Sequence, residues 1–136
     1  MPPPRPAPAS KLVLIVEDDQ GMQELLDRLL RDEGFRTALA YDGLDLRERL
    51  RALKPDAVLL DLMLPRYGGL ELLHELRRGE TAAIPLIIVT ARFTGAKDRT
   101  FIIQQPNVAG FFEKPVKPKE LLAKLHETLG TEPKKD

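Results

Sequence analysis

The chain has 136 residues, enough for one domain with one core. Hydrophobic residues make up 43%, and 21 Lys plus Arg balance 21 Asp plus Glu, which argues against a generic nucleic-acid or anionic-membrane binder. Cysteine is absent, which excludes disulfides, thiolate metal sites and cysteine nucleophiles; no apolar run nears the roughly 20 residues of a membrane span or forms the core of an export signal, so a cytoplasmic location is expected.

Residues 1–10, MPPPRPAPAS, are proline-rich and predict an extended, disordered tail. They hold a Pro-x-x-Pro pattern, but a solvated tail is the simpler reading. The folded domain is expected over residues 11–130, with a second disordered tail at residues 131–136. KLVLIV predicts a first strand. MQELLDRLLRDEG spaces Met22, Leu25, Leu26, Leu29 and Leu30 as a helix, which Gly34 stops. RTALAY predicts strand two. LDLRERLRALK, with Leu44, Leu46, Leu50 and Leu53, predicts a second amphipathic helix ending before Pro55. DAVLLD is apolar throughout apart from its ends, as in a strand buried on both faces.

GGLELLHELRR predicts helix three and IPLIIVT strand four. A weaker helical stretch follows around Lys97 to Gln105. Gly95, Pro106 and Asn107 are poor interior helix residues, so this fourth helix is expected to be short or reshaped. Phe101, Ile102 and Ile103 within it are expected to pack inward, as helical apolar runs usually do. GFFE predicts strand five. KPKELLAKLHETLG predicts the last helix, with Pro118 in its first turn, where proline is tolerated. His74 and His126 fall on amphipathic helices with no acceptor motif around them and are expected to face solvent.

Five strands alternating with five helices predict an α/β fold, a doubly wound parallel sheet of flavodoxin-like order 2-1-3-4-5. Ligands of such sheets bind beyond the carboxyl ends of the strands. The residues there are Glu17, Asp18 and Asp19 after strand one, Asp61 after strand three, Thr90 after strand four and Lys114 after strand five. Grouped carboxylates are oxygen ligands suited to a hard divalent ion such as Mg²⁺. A neighbouring carboxylate can attack phosphorus to give an acyl phosphate, and a hydroxyl and an ammonium can hold phosphoryl oxygens. Asp61, alone at its strand end and followed by a loop that Pro65 shapes, is the best nucleophile candidate. Each residue has a plain explanation by itself: Asp after a strand is often a helix cap, the preferred reading for Asp19. Their agreement on one edge of one sheet carries the argument.

With LIVEDD at strand one, VLLDLMLPRYGGLELL around strand three, IIVTA at strand four and FFEKPV at strand five, the chain resembles the response-regulator receiver domain (CheY-like) of two-component signalling. The resemblance covers roughly residues 11 to 130 and implies a signalling domain rather than an enzyme, one that assists its own phosphoryl transfer and dephosphorylation. By it, Asp61 is the phosphoacceptor, and Glu17, Asp18, Asp61 and the backbone carbonyl of Met63 hold Mg²⁺ or Mn²⁺. Thr90 is the switch hydroxyl, Lys114 pairs with acceptor and phosphate, and Phe111 is the switch aromatic. Gly69 matches the glycine opening helix three. Met63 and Arg92 flank the phosphoryl position, and a bulky, non-acidic pair there resembles regulators with long-lived phosphorylation.

The implied partners are a histidine kinase or phosphotransfer protein and a downstream protein target, with no direct nucleic-acid or membrane contact. A homodimer through the helix 4–strand 5–helix 5 face is a further expectation. The segment between Ala91 and Lys114 is longer than the family's usual one, which bears on that face. No output domain follows, so a stand-alone receiver is expected. Other readings fit less well. A haloacid-dehalogenase-like phosphatase wants a second Asp where Met63 stands. The glycines of a dinucleotide or P-loop site are missing after strand one. A degenerate receiver that binds a protein partner without phosphorylation is the remaining rival.

Overall fold

The computed structural model describes residues 4–64, 69–91 and 96–134. Five strands, β1 (Leu12–Val16), β2 (Arg36–Ala40), β3 (Ala57–Leu60), β4 (Leu86–Thr90) and β5 (Val108–Glu113), form one sheet in the order β2-β1-β3-β4-β5, every pair parallel. Five helices connect and follow them: α1 (Gln20–Glu33), α2 (Gly43–Leu53), α3 (Gly69–Leu76), α4 (Ala96–Ile103) and α5 (Pro118–Leu129). This is the doubly wound architecture expected from the alternation of strands and helices.

Period-two alternation sorts the strand side chains into two cores. Leu14, Val16, Val58, Leu60, Leu86 and Ile88 pack with Leu46, Leu50, Leu72, Leu73 and Ile102, from α2, α3 and α4. Val13, Ile15, Leu59, Ile87 and Val89 pack with Leu26, Leu30, Leu121 and Leu125, from α1 and α5. Both faces of the central strands are thus covered, which is why their sequences read as unbroken apolar runs. The helix ends follow their capping chemistry. Asp19 caps α1 by accepting from the Gly21 amide, and Gly34 ends it at φ 109°, where a side chain would be strained. Asp42 caps α2 by accepting from the Asp45 amide.

β5 carries an irregularity that sequence periodicity did not anticipate. Leu86 pairs with Val108 but Ile87 pairs with Gly110, so one extra residue enters β5. A bulge of this kind resets which side chains face which side. Val108 and Phe111, three apart, therefore share the α4 side of the sheet, while Ala109 and Phe112 share the α5 side.

The apolar positions of the helices are not all buried. Leu25 is 60% exposed and Leu44 62% exposed, whereas Gln23 is buried. Each leucine lies 100° or more around its helix from the buried stripe, which runs through Gln23, Leu26 and Leu30 in α1 and through Leu46 and Leu50 in α2. Of the three apolar residues in α4 only Ile102 is core; Phe101 and Ile103 are exposed, because consecutive helical positions cannot all face the sheet. α4 is short, as expected, at eight residues.

The terminal segments also differ from the tails expected of them. Pro8–Ser10 forms a 3₁₀ turn, and the carbonyl of Ala9 accepts from Arg36 Nε. After Gly130 the chain folds back: Thr131 is fully buried, the Glu132 amide donates to Pro6 O, and the Lys134 amide donates to Glu33 Oε2 at 3.0 Å. That return covers His126, expected in solvent. Its Nδ1 lies 2.7 Å from Thr131 Oγ1, its Nε2 lies 2.6 Å from Glu33 Oε2, and its ring stacks obliquely on Phe35. His74 is exposed, as expected. No helix among the described residues is long and apolar enough to cross a membrane.

Candidate functional site

The carboxyl ends of β1, β3, β4 and β5 converge on one group of polar side chains. The backbones of β1, β3 and β5 continue the sheet for one residue past each strand, and β4 ends on Thr90. The Glu17 amide donates to Ala40 O, the Asp61 amide to Val16 O, and the Lys114 amide to Thr90 O at 2.8 Å. These bonds bring together four residues that are far apart in sequence.

Asp61 sits at the centre and is 5% exposed. Its Oδ1 accepts from the Met63 amide at 2.9 Å and from Thr90 Oγ1 at 3.2 Å. Its Oδ2 accepts from Lys114 Nζ at 3.1 Å. The same ammonium donates to Glu17 Oε1 at 2.6 Å. Glu17 is buried beside it, and its other oxygen, Oε2, is buried with no hydrogen-bond partner. Asp18 is exposed at the rim.

Burying several charges together shifts their ionisation. Burial, reinforced by the neighbouring Asp61 carboxylate, pushes the Glu17 carboxyl up to about 8. Burial also acts on Asp61, but the adjacent Glu17 carboxyl, the Met63 amide and Lys114 outweigh it and hold the Asp61 carboxyl below the usual range. Lys114 loses solvent, yet its bonds to Glu17 and Asp61 raise its pKa and keep it an ammonium.

A hard divalent cation fits this donor set. Glu17, Asp18 and Asp61 each offer a carboxylate oxygen, and the three oxygens lie within 4.8 Å of one another. The unpartnered buried Oε2 of Glu17 is what a cation ligand looks like before its ion is counted. Asp19 takes no part, being occupied as the α1 cap.

Of the residues singled out in the sequence, Glu17, Asp18, Asp61, Thr90 and Lys114 meet at this cleft, and Met63 joins through its amide. Met63 is exposed beside it. Gly69 is the first residue of α3. Pro65 and Arg92 lie outside the described residues. Phe111 stands in β5. It is half-buried on the α4 side of the sheet, with the Arg99 guanidinium 5.2 Å above its ring, and Arg99 also reaches Glu113.

Sequence reasoning missed Gln23. This buried amide donates from Nε2 to Glu17 O and to Ala40 O, fixing the backbone on which Glu17 stands. The signal was present: Gln23 precedes Leu26 and Leu30 by three and seven positions, on the same helical face.

Comparison with known proteins places the whole fold in a family. The model of the response regulator receiver domain family matches residues 13–126. Over 117 residues, 86% of this chain, the sequence is 38% identical to the DNA-binding response regulator MtrA of Mycolicibacterium paratuberculosis. It is 33% identical to the response regulator MprA of Mycobacterium tuberculosis. The chain spans about half the length of these relatives, 50% in each case. Among solved structures, the receiver domain of the sensor histidine kinase PA1611 of Pseudomonas aeruginosa, with a magnesium ion in its active-site cleft, is 30% identical with a TM-score of 0.78. The match covers 89% of this chain and 98% of that one. A CheY-like receiver domain protein of Methanospirillum hungatei is 26% identical with a TM-score of 0.79, covering 88% of this chain and 94% of that one.

Proposed function

This chain belongs to the response regulator receiver domain family, and from that premise we propose that it accepts a phosphoryl group on Asp61 and uses the modification to change which protein it binds. The observation that carries this reading is the sharing of Asp61. Thr90 and the Met63 amide engage one of its oxygens and Lys114 the other, in a cleft where Glu17 and Asp18 supply further carboxylates.

The donor is a phosphohistidine of a histidine kinase or a phosphotransfer protein. An Asp61 oxygen attacks phosphorus, the P–N bond breaks, and its electron pair returns to the imidazole nitrogen, which takes up a proton. The product is an acyl phosphate. Asp61 suits the task because its lowered pKa keeps it ionised, and an ionised carboxylate is the nucleophile. Lys114 Nζ, already on Asp61, holds a phosphoryl oxygen as negative charge accumulates. The Thr90 hydroxyl leaves its ground-state bond to Asp61 and donates to a second one. Glu17, Asp18, Asp61 and the Met63 carbonyl would hold Mg²⁺ or Mn²⁺, whose charge offsets that of the incoming phosphoryl group.

Movement of Thr90 frees space beside β5, and Phe111 turns inward into it. The readout is a changed surface across α4, β5 and α5, taken by a downstream protein or by a second copy of the chain. The balanced charge of the chain favours a protein partner over nucleic acid at this surface. The receiver itself is assigned to residues 11–130.

Amide spectra with Mg²⁺ and a beryllofluoride salt, which imitates an aspartyl phosphate, test the switch. The expected result is shifted resonances at Asp61, Thr90, Phe111 and Lys114, all lost in Asp61→Asn. Unchanged spectra would instead support a receiver that binds its partner without phosphorylation.

A further inference from the structure

A cleft of about 730 Å³ opens at the opposite edge of the sheet from the acidic residues. Pro55 and Ile84, which precede β3 and β4, line its base; Asp61 and Thr90 lie at the other ends of those strands. One wall is the C-terminal half of α2. The other is the end of α3 and the 3₁₀ segment Gly79–Ala83. Its volume falls within the roughly 300–1,000 Å³ typical of small-molecule pockets.

The chemistry of the lining is divided. Leu50, Leu76, Pro55 and Ile84 make an apolar floor. The rim carries the cations Arg47, Arg51, Lys54 and Arg78 against two acids, Glu75 and Glu80. Arg47 is committed to an ion pair with Glu75. Among the described residues, Arg51, Lys54 and Arg78 have no ion-pair partner, but Arg78 is turned to His74, with Nη2 3.2 Å from its Nε2. The far wall is braced, since the single Thr81 hydroxyl proton is shared between the carbonyls of Leu76 and Arg78, 3.0 and 2.8 Å from Oγ1.

Lys54 adds an independent observation. It closes α2 in the left-handed region at φ 47° and ψ 62°, the one described non-glycine residue with positive φ. Glycine is the usual residue there, and the helices ending at Gly34 and Gly130 use it. A lysine at this place incurs backbone strain that glycine would avoid and adds a cation to the rim of the cleft.

From these features we propose that the cleft binds a small amphipathic anion, an apolar body bearing a carboxylate, sulfonate or phosphate group. The body rests on Leu50, Leu76 and Ile84, and Arg51 and Lys54 take the charge by charge-assisted hydrogen bonds. The site shares no residue with the phosphoryl cleft and does not depend on its chemistry.

The test uses two fluorescent probes with the full chain, 8-anilinonaphthalene-1-sulfonate and its uncharged relative N-phenyl-1-naphthylamine. The anion is expected to bind one saturable site and to shift amides within residues 50–57 and 76–84. Replacing Arg51 with Ala and Lys54 with Gly together should weaken it by roughly tenfold or more, the scale of one charge-assisted hydrogen bond. Binding of the neutral probe should not change. Lys54→Gly suits the existing backbone, so thermal stability is expected to hold or rise, which separates lost recognition from misfolding. Asp61→Asn should leave probe affinity unaltered. The proposal is overturned by a lack of saturable binding, by shifts confined to α4 and β5, or by equal affinity in the double variant. Binding of an acidic peptide but not of the probe would overturn it too.

Discussion

Glu17 is under two opposed demands. Its backbone is held by Gln23 and by β2, which keeps the carboxyl buried, while burial beside Asp61 makes its charge costly. Lys114 answers half of this by bonding Oε1, and Oε2 is left for a cation. Mg²⁺ is therefore expected to raise the melting temperature, since a ligand that binds only the folded chain stabilises it. Asp18→Ala, at the exposed rim, should remove most of that gain while changing the metal-free melting temperature little; an undiminished gain would show the cation bound elsewhere. Glu33 gives a prediction away from the site. Burial raises its carboxyl, but bonds from the Lys134 amide and His126 outweigh this and hold it below its ordinary 4.5. A carboxyl depressed in the folded state contributes stability that is present above its unfolded value and lost as pH falls through the folded one. Glu33→Gln should thus lower stability at neutral pH and flatten the loss of stability below about pH 4.5. A variant with the parent's acid limb would contradict the account of the C-terminal fold-back.

At the scale of the element, α4 and β5 are where sequence and structure part most. The apolar triplet Phe101, Ile102 and Ile103 reads as core, but a helix lying on a sheet turns only one of three consecutive positions inward. Ile102 takes that place at 0% exposure. Ile102→Ala should cost about 2–5 kcal/mol in urea denaturation, the usual range for emptying a buried isoleucine, whereas Phe101→Ala and Ile103→Ala should each stay within roughly 1 kcal/mol. The bulge in β5 could not be read from the sequence, because GFFE alternates acceptably in either register and only pairing with β4 decides it. Its consequence is one of placement: it turns Phe111 toward α4 and Arg99 rather than toward α5. The central strands were legible for the converse reason. Strands buried on both faces are apolar along their length, so the runs LVLIV, AVLL and LIIV announce themselves, and the polar residue that follows each run, Glu17, Asp61 or Thr90, marks the site edge.

For the molecule as a whole, topology does the assembling. Order β2-β1-β3-β4-β5 places residues 17, 61, 90 and 114 at one edge, and no local signal in the chain states that they meet. What could be read was the repeat of strand and helix, and the general rule for parallel sheets then located the cleft. What could not be read depends on contacts between the chain ends. Pro8 packs near Gly34, and the bond of the Glu132 amide to Pro6 and the burial of His126 beneath Thr131 follow from a return of the chain after Gly130 that composition alone describes as a frayed tail. The same topology sets the acidic cleft and the basic cleft at opposite ends of β3 and β4.

On the function proposed above, the four strand ends make one phosphoryl-accepting site with Asp61 as its nucleophile. The most direct measurement is intact mass followed by peptide mapping after incubation with acetyl phosphate, with and without Mg²⁺. One phosphoryl group is expected, dependent on Mg²⁺, mapped to the peptide containing Asp61 and absent from Asp61→Asn. Mg²⁺-independent labelling, or labelling that persists in Asp61→Asn, would contradict it.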